Sequence, residues 1–317
     1  MGIPIILLIV GFVALILGAN WLVDGATSVG IRAKLSPLII GLTIVAFGTS
    51  LPELIINIFS CARGSSGLAI GNIVGSNIMN ILLILGTAAV IYPIDVSRIS
   101  IRRDIPAGFV ATSALFLMAN DFFIGSSHTI NWIEGIVLLL LAAGYLYLTM
   151  VKNENPGGEV EIIQIPLPWG KTILFLVLGI LGLYIGGELV SNNAQKLAKA
   201  WGMSEAIIGL TVVAIATSLP ELITSIVAAT KKNAGIAIGN VLGSNILNVF
   251  VVLGISSLIM PLEFDTQMNY NLGILFAAHL IMLLFVFTGK GRQLSRFEGF
   301  LMLLSLSGFM VYTILSA

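Results

Sequence analysis

The sequence predicts an all-α integral membrane protein in which ten transmembrane helices form two inverted-topology repeats of five helices each. Three observations predict this fold: an apolar composition, an internal duplication and an uneven distribution of positive charge. Hydrophobic residues make up 57% of the 317 residues and charged residues only 9%, whereas soluble domains carry about 25% charged residues. The chain also lacks the alternation of polar and apolar residues that membrane β-barrels require.

Ten apolar segments are long enough to cross a bilayer, which takes about 20 residues in a helix. They cover approximately residues 2–23, 36–60, 67–92, 105–120, 131–150, 171–195, 205–230, 235–260, 269–288 and 296–316. The longest polar interruption, residues 152–170, contains several prolines and glycines. We therefore expect an N-terminal repeat at 1–151, a linker at 152–170 and a C-terminal repeat at 171–317.

The two halves contain closely similar segments, which form the core motif of each predicted repeat. Residues 41–86 and 209–254 align without a gap at an offset of 168, with 25 identities in 46 positions. Because each half has an odd number of spans, the second half enters the membrane from the opposite side. Inverted repeats of this kind are typical of secondary transporters.

Lysine and arginine residues are distributed unevenly between the two sides that ten spans define. Twelve lie in short loops on the side of the central linker, against three on the other side, Arg63, Lys196 and Lys199. Cytoplasmic loops of membrane proteins carry the excess of positive charge. We therefore expect a multi-pass protein of the cell membrane with a cytoplasmic linker and with both termini extracellular.

The segment "GTSLPELI" at residues 48–55 puts a proline and a carboxylate in the middle of the second span. Pro52 cannot donate a backbone hydrogen bond, so the helix should break there and leave free carbonyl oxygens. Glu53 costs about 2.5–3.5 kcal/mol at the centre of a span, which indicates a partner or a function. The seventh span repeats the pattern with Thr217, Ser218, Pro220 and Glu221.

The span that follows each motif adds further polar side chains along one helical face. Asn72, Ser76 and Asn80 are spaced four residues apart, and the matching residues of the second half are Asn240, Ser244 and Asn248. Glycines four residues apart predict the close approach of another helix, at positions 71 and 75 and again at 239 and 243. If the halves meet, two carboxylates, hydroxyls, amides and free carbonyls would surround one cavity at the midplane.

No lysine or arginine lies within these spans to neutralise the two glutamates. Hard oxygen ligands without imidazole or thiolate suit calcium or sodium and disfavour zinc or copper. The alternative is that both glutamates are protonated and simply hydrogen-bonded between helices, in a membrane scaffold without transport.

The paired "TSLPE" segments (49–53 and 217–221) and the paired "GN-x-x-GSN" segments (71–77 and 239–245) resemble the calcium/cation antiporter superfamily, and most closely its sodium/calcium exchanger branch. The resemblance implies a ten-helix fold with four ion sites clustered at its centre. It further implies that Glu53 and Glu221 bind calcium with the carbonyls of Thr49 and Thr217. The implied sodium ligands are Ser50, Ser76, Ser218, Ser244 and the carbonyls of Ala46 and Ala214, with Asn80 and Asn248 also lining the centre.

The function that this resemblance implies is a secondary antiporter, not an enzyme, that exports calcium in exchange for sodium without a cofactor. A proton/calcium antiporter with the same carboxylates stays an alternative, although those relatives usually read "GNxxE" in place of "GTSxPE". A passive cation pore is a further alternative. Relatives that depend on potassium carry aspartate in place of Asn248, so we expect no potassium transport.

The partners that we expect are calcium, sodium and the lipid bilayer. The formal net charge is zero, so no polyanionic partner such as a nucleic acid is implied. No protein partner is implied, and we expect the protein to function as a monomer.

Overall fold

The structure is a computed structural model that describes residues 2–122, 128–151, 165–201, 214–288 and 291–316. These residues are mostly helical. The helices are α1 (Gly2–Ala33), α2 (Pro37–Thr49), α3 (Leu51–Ala62), α4 (Ser66–Ile91), α5 (Ile105–Ala119), α6 (Trp132–Val151), α7 (Trp169–Ala200), α8 (Ala214–Thr217), α9 (Leu219–Thr230), α10 (Ala234–Ile259), α11 (Asn269–Thr288) and α12 (Arg296–Ser316).

Six of the described helices are long and apolar enough to cross a bilayer, and the bent pair α2 and α3 adds a seventh if it counts as one span. Helices α5, α9 and α12 are not among these, although they lie in predicted spans. The first part of the predicted seventh span, residues 202–213, lies outside the described residues. The chain is therefore an all-α membrane protein, and the number of ten crossings stays a prediction.

Helices α4 and α10 form the centre of the fold. Within their most apolar stretches 78% and 94% of the residues are buried, against 22% for α1 and 28% for α7. Both central helices contain a π-helical segment, Asn80–Leu85 in α4 and Asn248–Leu253 in α10. A π-helical turn inside an α-helix frequently marks a functional site, and these two begin at matching positions of the repeat. The sequence patterns did not predict them.

Glycines allow two pairs of helices to approach each other closely. A Cβ atom on Gly18 of α1 would lie 2.7 Å from the backbone nitrogen of Leu183 in α7. A Cβ on Gly239 of α10 would lie 2.5 Å from the carbonyl oxygen of Leu38 in α2. The close approach predicted at positions 239 and 243 is therefore confirmed. By the offset of the repeat, the contact of the first half that matches the one at Gly239 would involve residues 206–210, which lie outside the described residues.

Short antiparallel strands join connections from the two halves of the chain. Strand β1 (Ile94–Asp95) pairs with β4 (Gln293–Leu294), and β2 (Thr129–Ile130) pairs with β3 (Leu262–Glu263). Each pair therefore takes one strand from each half. Strands β1 and β3 occupy matching positions at the offset of 168, and β2 and β4 at an offset of 164, so the two pairings are equivalent.

Candidate ion-binding site

Both "TSLPE" segments break their helix at the serine. Ser50 separates α2 from α3 with backbone angles φ −84° and ψ 3°, and the axes of the two helices differ by 42°. Ser218 separates α8 from α9 with nearly the same angles, φ −88° and ψ 3°. The proline of each motif lies in the first turn of the second helix, where no helical partner is needed. Glu53 and Glu221 thus enter the first turn of a helix, where the helix dipole favours negative charge.

The two carboxylates belong to one buried cluster that contains side chains of both halves. Ser76 Oγ donates a hydrogen bond to Glu53 Oε1 at 3.3 Å. Ser50 Oγ donates to Glu221 Oε1, also at 3.3 Å, and thereby links the first half to the second. The same two hydroxyls also contact serines of the other half, with Ser50 Oγ 3.0 Å from Ser244 Oγ and Ser76 Oγ 3.5 Å from Ser218 Oγ.

Four buried oxygens of the predicted site residues have no hydrogen-bond partner among the described residues. We call them the oxygen set: Glu53 Oε2, Glu221 Oε2, Asn80 Oδ1 and Asn248 Oδ1. All four residues are fully buried, and they form two pairs related by the repeat. An unsatisfied buried polar group costs about 1–3 kcal/mol, and more if it is charged. A ligand that accepts electron pairs from oxygen would remove this cost.

A cation is the ligand that fits this arrangement. The ion pairs recorded for the described residues involve neither Glu53 nor Glu221. No group of three or more His, Cys, Asp or Glu in the described ranges could hold a metal ion. A cation would therefore contact two carboxylates and otherwise neutral oxygens, which is typical of calcium and sodium and unlike a zinc site.

The predicted ligands that precede each helix break are Ala46 and Thr49 in the first half, and Ala214 and Thr217 in the second. The Ala46 carbonyl accepts hydrogen bonds from Ser50 N at 3.0 Å and from Thr49 Oγ1 at 3.2 Å. Thr49 Oγ1 also donates to Asn240 Oδ1 at 3.1 Å. Thr217 lies at the end of α8, which begins at Ala214. The Ala46 carbonyl is thus engaged within the protein here, and its role as a sodium ligand stays a prediction.

Each motif helix is attached to the next helix by a side-chain hydrogen bond. Asn72 Nδ2 donates to Asn57 Oδ1 at 2.9 Å, and Asn57 Nδ2 donates to the Ala69 carbonyl at 3.1 Å. At the matching place Asn240 Nδ2 donates to Ser225 Oγ at 2.9 Å. Asn57 and Ser225 lie four residues after the two glutamates, so they occupy the same helical face. Neither residue is among the predicted site residues, although the four-residue spacing from the glutamates could have identified both.

Replacing Asn57 by alanine is expected to destabilise the fold by about 1 kcal/mol, because the partly buried amide of Asn72 and the Ala69 carbonyl lose their hydrogen bonds with Asn57. Thermal unfolding of the purified protein in detergent measures the effect. Ser225→Ala is the matched control with a smaller expected loss, because Asn240 Nδ2 also donates to the Glu221 carbonyl at 3.3 Å. An Asn57→Ala protein that unfolds at the parent temperature would contradict this role.

A cavity of about 200 Å³ lies beside the two helix breaks. Its lining includes Pro52 and Phe59 of α3, Thr217 of α8 and Pro220 of α9. Glu188 of α7 is the charged residue among the described residues that line it. The cavity thus brings a surface carboxylate next to both "TSLPE" segments.

Comparisons with known proteins agree with these features along almost the whole chain. The family model described as sodium/calcium exchanger protein matches residues 3–151 and 171–315. The putative antiporter CaxA of Alkalimonas amylolytica is 35% identical over 307 residues, which cover 96% of each chain. The sodium/calcium exchanger MaX1 of Methanosarcina acetivorans is 29% identical over 345 aligned positions, which cover 96% of this chain and 97% of MaX1.

A solved structure of the sodium-calcium exchanger NCX_Mj has the same fold. It matches with a TM-score of 0.81 and 31% sequence identity, covering 99% of this chain and 98% of the other. The family match, these relatives and the apolar helices agree on a multi-pass membrane transporter that exchanges calcium for another cation. The chain belongs to the sodium/calcium exchanger family of the calcium/cation antiporters.

Proposed function

We propose that this protein exports calcium across the cell membrane in exchange for sodium, with Glu53 and Glu221 as the ligands that both ions share. The observation that carries the proposal is the oxygen set, because its four buried acceptors have no hydrogen-bond partner in the part of the chain that the structure describes. Two carboxylates balance the charge of one calcium ion, and the amide oxygens add neutral ligands of the kind that calcium accepts. The relative MaX1 and the structural neighbour NCX_Mj are described as sodium/calcium exchangers, which favours sodium as the second ion.

Charge balance in the buried site explains why exchange would be coupled. Burying two carboxylates without a bound cation costs several kcal/mol of desolvation energy for each carboxylate. A site filled by calcium, or by enough sodium, removes that cost, and only filled sites would then change access from one side to the other. Because calcium and sodium compete for the same oxygens, each ion leaves when the other replaces it.

The proposed movement is alternating access between two inverted repeats of five helices. The 168-residue offset, the equivalent strand pairings and the matching helix breaks support this symmetry. Helices α1 and α7 are the proposed moving pair, since they contact each other closely at glycines and are less buried than α4 and α10. The excess of positive charge supports a cytoplasmic linker and extracellular termini. A monomer would be sufficient, because both carboxylates come from one chain.

Radioactive calcium uptake into proteoliposomes is the experiment that tests this function. We expect rapid uptake when sodium is present only inside the vesicles, and no uptake with an outward potassium gradient or a pH gradient alone. Uptake driven by a pH gradient without sodium would replace the proposal with proton/calcium antiport. Calcium flux without any counter-ion would indicate a passive pore. Empty liposomes serve as the control for leakage.

A further inference from the structure

We propose that Asn77 and Asn245 are positioning residues that turn the side-chain oxygens of Asn80 and Asn248 toward the transported cation. This inference rests on the proposed function and names residues that act on that site without contacting the ion. The four residues form a buried group between α4 and α10 that we call the asparagine clasp. The exposed fraction of these residues is 2% or less.

The clasp is held by reciprocal hydrogen bonds across the repeat. Asn77 Nδ2 donates to the backbone carbonyl of Asn245 at 3.1 Å, and Asn245 Nδ2 donates to the carbonyl of Asn77 at 3.3 Å. Asn248 Nδ2 donates to Asn77 Oδ1 at 3.1 Å. Asn80 Nδ2 donates to Asn245 Oδ1 at 2.9 Å.

These contacts determine which end of each amide faces the site. An asparagine side chain has one acceptor end and one donor end. Asn77 uses its donor end on a backbone carbonyl, so only its oxygen is presented to Asn248. Asn248 must then direct its donor end at Asn77, because the reverse orientation would bring two oxygens together. Its own oxygen is thereby directed away from the clasp.

This orientation of the two amides agrees with the buried oxygens that lack a hydrogen-bond partner. Asn248 Oδ1 and Asn80 Oδ1 are both buried without a partner among the described residues, and both belong to the oxygen set. The same logic applies to Asn80 through Asn245. Each helix begins its π-helical segment at the residue that the clasp orients. A neutral amide with a fixed direction thus offers the cation an acceptor, where a freely turning amide would also offer a repelling donor.

The test is Asn77→Ala, assayed by sodium-driven calcium uptake in proteoliposomes over a range of calcium concentrations. Without the acceptor on Asn77, the Asn248 amide can turn its donor end toward the ion. We expect the KM for calcium to rise about 10-fold, which corresponds to about 1.4 kcal/mol, with a smaller change in kcat. An unchanged KM in a parent that transports calcium would overturn the positioning role. Failure of the parent to transport would count against the proposed function instead.

A second variant separates positioning from simple loss of packing. Aspartate at position 248 has two equivalent oxygens, so it presents an oxygen to the ion in either orientation and does not need Asn77 to orient it. Within the Asn248→Asp background we expect Asn77→Ala to leave the KM unchanged or lower it, because an oxygen–oxygen contact disappears. An equal penalty in both backgrounds would mean that Asn77 acts through packing alone, and would overturn the proposal.

Calcium-dependent thermal stabilisation in detergent gives the same comparison without transport. We expect calcium to raise the melting temperature less in Asn77→Ala than in the parent, and at least as much in Asn248→Asp with Asn77→Ala as in Asn248→Asp alone. The mirror pair, Asn245→Ala with Asn80→Asp, should behave in the same way because the clasp is symmetric. The inference would be contradicted if calcium raised the melting temperature of Asn77→Ala as much as that of the parent.

Discussion

Glu53→Gln and Glu221→Gln are each expected to lower sodium-driven calcium uptake at least about 100-fold, which corresponds to about 2.7 kcal/mol. Glutamine keeps the shape of the side chain but removes a charge, and it can place a hydrogen-bond donor where the ion needs an acceptor. Two unit charges 4 Å apart attract each other by about 4 kcal/mol at an effective dielectric constant of 20, and a divalent ion doubles this. The electrostatic energy lost with one carboxylate is therefore larger than the neighbouring hydroxyls can supply.

The control for these variants is Glu263→Gln, which makes the same chemical change at an exposed position in strand β3. It should transport calcium like the parent. Both glutamate variants should remain folded, since each buried Oε1 contact with a serine hydroxyl can persist with an amide oxygen. Calcium exchange at the parental rate by either glutamate variant would contradict the assignment of that residue as a ligand.

Gly243→Ala is expected to destabilise the protein although alanine favours helices over glycine by about 1 kcal/mol. The added Cβ would lie 2.6 Å from the Leu42 carbonyl oxygen and 2.7 Å from the Ala46 Cβ. Helix α2 would have to move away from α10, and overpacking of this kind costs about 1–3 kcal/mol. Transport should fall as well, because the displaced helix leads directly to Ser50 and the helix break.

Gly273→Ala gives the matched control for that substitution. This glycine lies in α11 with no described heavy atom within 4 Å of an added Cβ, so only the helix propensity should change. We expect a melting temperature in detergent at or above that of the parent for Gly273→Ala, and a lower one for Gly243→Ala. Equal melting temperatures for the two variants would show that the stability of the protein does not depend on the close contact between α2 and α10.

Local chemistry explains which features could be predicted from the sequence. The break at Ser50 follows from the proline two residues later, and the burial of Glu53 follows from the apolar residues around it. The offset of 168 residues transfers both features to Ser218 and Glu221. Each of these features depends on only a few neighbouring residues, so it can be predicted without knowledge of the tertiary structure.

The features that could not be predicted depend on how α4 meets α10. A four-residue spacing selected Asn72, Ser76 and Asn80 as one face, and it passed over Asn77. The structure pairs Asn77 with Asn245 of the other half, a contact that no local pattern encodes. The π-helical segments also escape hydrophobic periodicity, because their residues are as apolar as those of an ordinary helix.

The central claim is that one carboxylate from each half of the chain binds the same ion. A high-resolution structure of the protein in calcium-containing, sodium-free solution tests this most directly. We expect one calcium ion with oxygens of both Glu53 and Glu221 at about 2.3–2.6 Å, the usual calcium–oxygen distance, and with Asn80 or Asn248 Oδ1 facing it. A calcium ion bound by only one of the two carboxylates, or a site in which the two glutamates face apart, would contradict the claim.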